Sequence, residues 1–148
     1  MSTELEYMNL DLESVDLTTP LFKGPVLWRI SSCKEDQKQG KFKHLVIGLT
    51  LEAATTDTTG RTVNPGFKHT DHILLEETGK YTKASIAEKI ARLQCAAFQT
   101  ERAKNGVPWS DYEGRLVIAL MDVQADRQNP SIQRQEVKRY VREVAKAS

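Results

Sequence analysis

The chain has 148 residues, a formal net charge of +1 and 39% hydrophobic residues. This length suits one domain, and the balanced charge favours no class of partner. No apolar run approaches the roughly 18 residues of a membrane span, and the first residues lack the basic and apolar regions of a signal peptide. The two cysteines, Cys33 and Cys95, match no metal or redox spacing. We therefore expect a protein of the reducing cytoplasm that does not contact membranes.

Charge is unevenly distributed along the chain. Residues 1–20 contain five acidic residues and no Lys or Arg, which gives this stretch −5 and leaves +6 on the rest. The pattern predicts an acidic N-terminal arm, residues 1–19, attached to a basic domain, residues 20–148. A basic domain favours a polyanion as partner, and an acidic arm could compete for the same surface. The alternative is a soluble protein whose uneven charges have no such partner.

Three strands are predicted in the first half of the basic domain. In residues 25–31, PVLWRIS, every second residue is apolar, and the same alternation runs through residues 42–52. Gly48 predicts a bulge or a tight bend in the second strand. The third strand begins near residues 61–63 and resumes, after a Pro-Gly interruption, over residues 67–75. The side of the second strand expected to face the core consists of Lys43, Leu45, Ile47, Leu49 and Leu51.

One helix is predicted over residues 85–100. Ser85 and Glu88 fit a capping box at its start. Asn105-Gly106 marks the end of the helical region. Cys95 is expected on the apolar side as a small core residue. The apolar stripe that would pack on the sheet consists of Ile86, Ile90, Leu93 and Ala97.

The last part of the chain contains one clear strand and one ambiguous segment. Residues 116–123 are an apolar run typical of a buried strand. Residues 132–146 fit either a helix, with Val137, Tyr140, Val141 and Val144 on one face, or a strand. We take the strand, which places Lys138 and Tyr140 on one face, because it completes five strands. The predicted fold is mainly β with one or two helices, a five-stranded OB-like barrel with a helix between the third and fourth strands.

Several short phrases resemble one group of proteins. They are PLFKGPVLWRISSCK, KFKHLVIGLTLE, DTTGRTVNPGF, EGRLVIALMDV and a final VKRYV, and together they span residues 20–144. Their layout is similar to that of phage-encoded single-stranded-DNA-binding proteins with an oligonucleotide-binding (OB) barrel, found in replication and recombination modules. The resemblance implies an OB fold and single-strand binding, and it brings no invariant site. In familiar single-strand binders an acidic tail lies at the C-terminus and recruits partners, whereas here the acidic segment is N-terminal.

Single-strand binding needs cations for the phosphates and aromatic faces for the bases. Aromatic and basic residues are interleaved at four places, around Trp28, Phe42, Phe67 and Tyr140. The alternative is that these rings belong to the core and their basic neighbours form a solvated face. The candidate nucleic-acid-binding residues are Trp28, Arg29, Lys41, Phe42, Lys43, His44, Phe67, Lys68, Arg115, Lys138, Arg139 and Tyr140.

Metal binding and catalysis are not expected. The stretch His69-Thr70-Asp71-His72 holds three potential ligands, but no further Cys or His stands at a familiar spacing from them. The glycines are scattered and form no phosphate loop, and no nucleophile elbow surrounds a serine. We therefore expect no enzyme, no cofactor and no metal.

The sequence thus predicts a sequence-tolerant single-stranded DNA-binding protein acting in phage DNA replication or recombination, in the cytoplasm of the host. RNA remains open as a ligand. Replication or recombination proteins and a second copy of the chain are further expected partners. The alternative function is a protein–protein interaction or structural module of a phage or bacterial assembly that does not bind nucleic acid.

Overall fold

The structure is a computed structural model that describes residue 13 and residues 18–37, 42–126 and 128–142. A short 3-10 helix, Trp109–Tyr112, precedes the strand that begins at Leu116. The predicted mainly β class is confirmed. The elements in chain order are β1 (Gly24–Asp36), β2 (His44–Leu51), β3 (Thr55–Thr56), β4 (Thr62–Val63), β5 (Lys68–Leu74), α1 (Lys83–Phe98), β6 (Leu116–Ala125) and β7 (Gln133–Val141).

The five long strands form one antiparallel sheet in the order β5-β2-β1-β6-β7. The ambiguous last segment is the strand β7, which pairs with β6 along its whole length. In sequence, α1 lies between the third and fourth long strands, as predicted. The sheet is open, because β5 and β7 are its two edges and the described residues show no backbone pairing between them. A closed barrel is therefore not confirmed.

Strict alternation along β2 builds the core. Its inward side chains are 0–1% exposed, while the residues between them are half-buried. From β1, Trp28 and Ile30 are 0% exposed and extend this layer. Each such side chain contributes about 1.5–3 kcal/mol through burial, so β1 and β2 form the stable centre of the domain. Lys43 precedes β2 and is exposed, so its predicted place on the core side is wrong. The inward residues of β2 are Leu45, Ile47, Leu49 and Leu51.

The strand β1 bulges where it passes Gly48 of β2. The pairing register shifts between Ile30 and Ser32, so that Ser31 is the extra residue. A Cβ atom at position 48 would collide with Ser32 Oγ and lie 3.1 Å from Ser31 Oγ. Glycine is needed here because the two chains approach so closely. The bulge predicted from Gly48 is confirmed, although the extra residue lies on the neighbouring strand.

The predicted third strand is divided between two sheets. Its first part, β4, pairs with β3 in a separate hairpin. The turn of that hairpin is closed by Asp57, whose Oδ1 accepts hydrogen bonds from the backbone N–H of Thr59 and of Arg61, both at 2.9 Å. Pro65 and Gly66, which has φ +104°, then interrupt the extended chain before β5.

The helix begins two residues earlier than predicted. The Thr82 side chain accepts a hydrogen bond from Ser85 N at 3.2 Å and is the N-cap. The predicted Ser85–Glu88 capping box is therefore wrong, because Ser85 already lies inside the helix and its hydroxyl donates back to Thr82 O. The helix ends at Gln99, which adopts a left-handed φ of 55° without a glycine. Among the described residues, no helix has the length and apolar character to cross a membrane.

The chain enters β1 across one end of the sheet. Phe22 is 1% exposed there and packs edge-on against Trp28 and Phe67, with ring centroids 5.9 and 5.7 Å apart. The Gln135 amide of β7 binds both backbone groups of Phe22, accepting from its N–H at 2.6 Å and donating to its O at 2.9 Å. This clamp fixes the point from which the predicted acidic arm leaves. Most of that arm, residues 1–19, lies outside the described residues.

Candidate functional site

A cleft of about 790 Å³ separates the two edges of the sheet. One wall is β5, another is β7, and the first half of α1 supplies the third. On its inner side the Tyr140 hydroxyl donates a hydrogen bond to Asp71 Oδ2 at 2.8 Å, which joins the two edge strands. We call this space the seam cleft. Its lining is formed mainly by residues 69–73, Tyr81, Glu88, Lys89, Arg92 and residues 134–140.

Five cationic side chains line the seam cleft. Lys89 and Arg92 of α1 are three positions apart, which places them on the same face of the helix. The pairing of β7 with β6 skips Lys138, and this bulge leaves Lys138 and Arg139 both exposed although they are consecutive. Arg134, earlier on β7, completes the set. A helix face and a bulged strand thus bring their charges to one groove.

Four of these five cations form no ion pair with a carboxylate of the described residues. Arg92 makes a long ion pair with Glu88, with 3.9 Å between nitrogen and oxygen. Lys89 Nζ lies 4.9 Å from the centroid of the Tyr81 ring, within the range of a cation–π contact. Unpaired cations in a cleft produce a positive potential that attracts anions. The cations that make no ion pair with any described residue include the three on β7, Arg134, Lys138 and Arg139.

Two acidic groups of the seam cleft, Asp71 and Glu136, are partly withdrawn from solvent, whereas Glu88 is exposed. Burial raises the pKa of the Asp71 carboxyl to about 6, although the hydrogen bond from Tyr140 acts in the opposite direction. The charge of Glu136 raises the same pKa further, and Glu136 Oε2 is buried with no hydrogen-bond partner among the described residues. Protonation of Asp71 makes the cleft more positive, so its attraction for anions increases as the pH falls through about 6.

The two histidines of β5 lie on opposite faces, as the alternation of a strand predicts. His69 faces inward, with its ring centroid 6.1 Å from that of Trp28, and burial lowers its pKa. His72 lies on the outer face, where its ring stands perpendicular to that of His44 at 6.0 Å. In the part of the chain that the structure describes, no group of three or more His, Cys, Asp or Glu side chains is arranged to hold a metal ion.

Two predicted binding residues lie in one row on the outer face of the sheet. Arg29 of β1 pairs across β2 Thr50 with Lys68 of β5. The guanidinium of Arg29 donates to both carboxylate oxygens of Glu52 at 3.0 Å and to Gly114 O at 2.6 Å. Arg29 is therefore already neutralised, whereas Lys68 is exposed without an ion pair to any described residue.

The segment before β2 holds three further predicted residues. Phe42 is 52% exposed and presents the most accessible large ring among the described residues. Lys43 Nζ lies 3.2 Å from Glu35 Oε1, and this ion pair partly offsets its positive charge. His44 is half-buried against His72. Lys41 lies outside the described residues.

Two of the predicted aromatic rings belong to the interior, and a third packs against it. Trp28 is 0% exposed and Tyr140 is 4% exposed, so for both rings the structure favours the alternative, a place in the core. Trp28 occupies an inward position of β1, and Tyr140 is held inside by its hydrogen bond to Asp71. Phe67 packs against the core beside Phe22 and is only half-buried.

Arg115 lies apart from the other predicted residues. Its guanidinium carbon stands 3.7 Å from the centroid of the Phe98 ring, and its Nε donates to Asp111 O at 2.8 Å. It does not line the seam cleft. The structure thus brings Lys138 and Arg139 together with each other but separates them from the residues around β2.

Residues that the sequence reasoning missed supply much of the cleft. Lys89 and Arg92 of the helix, Arg134 of β7 and the ring of Tyr81 were not among the candidate binding residues. A usable signal for the first two was their spacing of three on the polar side of the predicted helix. The convergence of the helix with β7 depends on tertiary packing, which no local pattern in the sequence encodes.

No protein-family model matches the chain, and a search of curated proteins finds no match. No family therefore contributes residues to the site. What can be said of its function depends on the geometry of the seam cleft.

Proposed function

We propose that the protein binds single-stranded nucleic acid with the phosphate backbone in the seam cleft. The observation that carries the proposal is the convergence of five cations from α1 and β7 on one groove. Three of them, on β7, lack a carboxylate partner among the described residues. A strand bound there would displace counterions from its phosphates, which is the main source of affinity in such complexes.

The rings that could stack on bases lie at two positions. Tyr81 lines the seam cleft and is half-buried, so part of its ring remains accessible beside Lys89. Phe42 is 52% exposed at the start of β2. Stacking contributes roughly 1–3 kcal/mol per base and tolerates any base. This combination favours a ligand that is a flexible strand whose sequence matters little.

The strand order supports an OB-like barrel that is open between β5 and β7. Among the long strands, β2 and β5 are the second and third, and the corresponding face of OB folds binds oligonucleotides. Thr70 and His72 of β5 line the seam cleft, which therefore borders that face. A setting in phage DNA replication or recombination belongs to the same proposal and is supported by the resemblance of the sequence alone.

A second candidate function is protein binding at the sheet edges. The edges β5 and β7 have no strand partner on their outer sides among the described residues. An extended peptide could add to either edge through backbone hydrogen bonds. This mode would not require the cations of the seam cleft.

The deciding experiment is a binding titration by fluorescence anisotropy. The ligands are labelled oligo-dT, a single-stranded RNA of equal length and a duplex, each at low and at moderate salt. We expect the single strands to bind more tightly than the duplex, with affinity that falls as salt rises. Equal affinity for duplex and single strand, or no binding at low salt, would contradict the proposal. A protein captured by the chain through backbone-mediated contacts, with no nucleic acid bound, would favour the second function.

A further inference from the structure

A second cavity continues from the seam cleft along α1. It has a volume of about 580 Å³ and lies between the second half of the helix and the end of β7. Three arginines line it: Arg92 of α1, Arg139 of β7 and Arg142, which follows β7 directly. We call it the arginine pocket. Because Arg92 and Arg139 also line the seam cleft, the two cavities share a wall of guanidinium groups.

The two glutamates that line the arginine pocket hold its arginines only loosely. Glu88 lies 3.9 Å from Arg92 Nε, and Glu101 lies 3.7 Å from a terminal nitrogen of Arg142. Both distances exceed those of a charge-assisted hydrogen bond, about 2.7–2.9 Å. The side chains of the two glutamates are 68% and 84% exposed, so water competes for them. Arg139 has no ion pair with any described residue.

One donor in the pocket is buried without a partner. Arg142 Nε is inaccessible to solvent and makes no hydrogen bond within the described part of the chain. A buried donor that is left unpaired costs free energy, which is recovered if the Arg142 side chain turns its Nε toward an acceptor in the cavity. The three arginines outnumber the two glutamates that line the same cavity, and an anion between the arginines offsets the remaining positive charge.

We propose that the arginine pocket binds a phosphate group. The planar guanidinium fork matches the oxygens of a phosphate with two parallel hydrogen bonds, which the loosely paired Glu88 and Glu101 leave available. The cavity is larger than a phosphate, so the group can enter while attached to a nucleoside. The proposal rests on the proposed function only for the source of the phosphate, which is then the strand that occupies the adjoining seam cleft.

The test is a titration with inorganic phosphate, followed by NMR of the arginine Nε–Hε groups at constant ionic strength. We expect a saturable shift of the Arg142 signal in the intact protein. Arg142→Gln should weaken phosphate binding at least about tenfold, the scale of one lost charge-assisted contact. The matched control is Arg102→Gln, because Arg102 is exposed and lines neither cavity. This control should bind phosphate like the parent.

Thermal unfolding of each variant is measured in parallel. If Arg142→Gln does not fold, Arg139→Gln replaces it, since the Arg139 side chain is exposed and has no ion pair with a described residue. The absence of saturation in the intact protein, or equal weakening by Arg102→Gln, would overturn the assignment of the pocket.

A second arm identifies the source of the phosphate. Oligo-dT with and without a 5′-phosphate is titrated into the protein and into Arg142→Gln. A gain from the 5′-phosphate that Arg142→Gln abolishes assigns the pocket to a strand terminus, and an equal loss for both ligands assigns it to an internal phosphate. Binding of inorganic phosphate without any strand binding would retain the pocket and refute the proposed function. Strand binding without binding of inorganic phosphate would retain the proposed function and refute the assignment of the pocket.

Discussion

The interior of the domain is filled in different ways around the central strands β1 and β2 and at the seam between the edge strands β5 and β7. Around β1 and β2 the inward residues are apolar, and Trp28, Ile30 and Ile47 are 0% exposed. At the seam between β5 and β7 the inward residues include Asp71 and Tyr140, which satisfy each other with one hydrogen bond. Apolar side chains can close a sheet by packing alone, whereas polar ones must find partners or stay near water. The seam thus remains open, and the five cationic side chains of the seam cleft lie along it.

The strongest test of this contrast is a cavity made among the buried side chains of β1 and β2. Ile47→Ala removes a fully buried side chain from the centre of β2. We expect the free energy of unfolding to fall by roughly 2–5 kcal/mol, through lost burial and the cavity left behind. Urea denaturation measures the change. Affinity for oligo-dT, measured below the unfolding transition, should stay the same. A parallel loss of affinity would show that binding at the seam depends on the packing around β1 and β2.

At the seam, the same comparison predicts a gain in stability from removing a charge. The folded-state pKa of Asp71, about 6, lies above its ordinary value of 3.8. The folded protein therefore holds this proton more tightly than the unfolded chain, and stability falls as the pH rises from about 4 to about 6. Asp71→Asn keeps an acceptor for Tyr140 and should stabilise the protein by about 2–3 kcal/mol above pH 7, at 1.36 kcal/mol per pKa unit.

The control for this variant is the pH. Near pH 4 the parent Asp71 is already protonated in the folded state, so Asp71→Asn should have nearly the stability of the parent. Urea titrations at pH 4 and pH 7.5 compare the two. An equal effect at both values would mean that the burial of the charge is not what destabilises the seam.

Phe42 allows the contribution of the outer face of the sheet to binding to be measured apart from that of the seam. It is 52% exposed, so Phe42→Ala should leave the unfolding free energy nearly unchanged. If a base stacks on this ring, affinity for a single strand should fall by about 1–3 kcal/mol with the same salt dependence. Anisotropy titrations at two salt concentrations measure both quantities. Unchanged affinity would confine the bound strand to the cations of the seam.

The acidic arm supplies the smallest predicted effect. Residues 1–20 carry −5, and the Gln135 clamp fixes Phe22 beside the strand that forms one wall of the seam cleft. A tethered acidic segment can compete with a bound strand even if its own contacts are weak. Removing residues 1–17 should strengthen binding at low salt by about 1 kcal/mol or less, and by less at high salt, because salt screens the competition. Identical affinity at every salt concentration would exclude competition by the arm.

The elements of the fold were predictable because they depend on local patterns. Alternation located β1 and β2, a continuous apolar run located β6, and the count of strands decided the ambiguous last segment. The split of the third strand and the Thr82 cap were missed, because a short hairpin and an N-cap depend on which backbone groups happen to meet. The site was predicted least well. Tyr140 looked like a surface ring among charges, and only the approach of Asp71 from another strand explains its burial.

The central claim is that the cations of the seam cleft bind the phosphates of a single strand. The most direct measurement is the slope of log affinity for oligo-dT against log salt concentration. The test variant replaces Lys89, Arg134 and Lys138 with Gln, and the control replaces Lys23, Arg102 and Lys104, which are exposed cations outside both cavities. Both variants lose the same net charge. At roughly 0.7 per phosphate contact, the seam variant should reduce the magnitude of the slope by about 2, and the control should leave it nearly unchanged. Equal reductions in the two variants would contradict the claim, because total charge rather than the seam cleft would then account for binding.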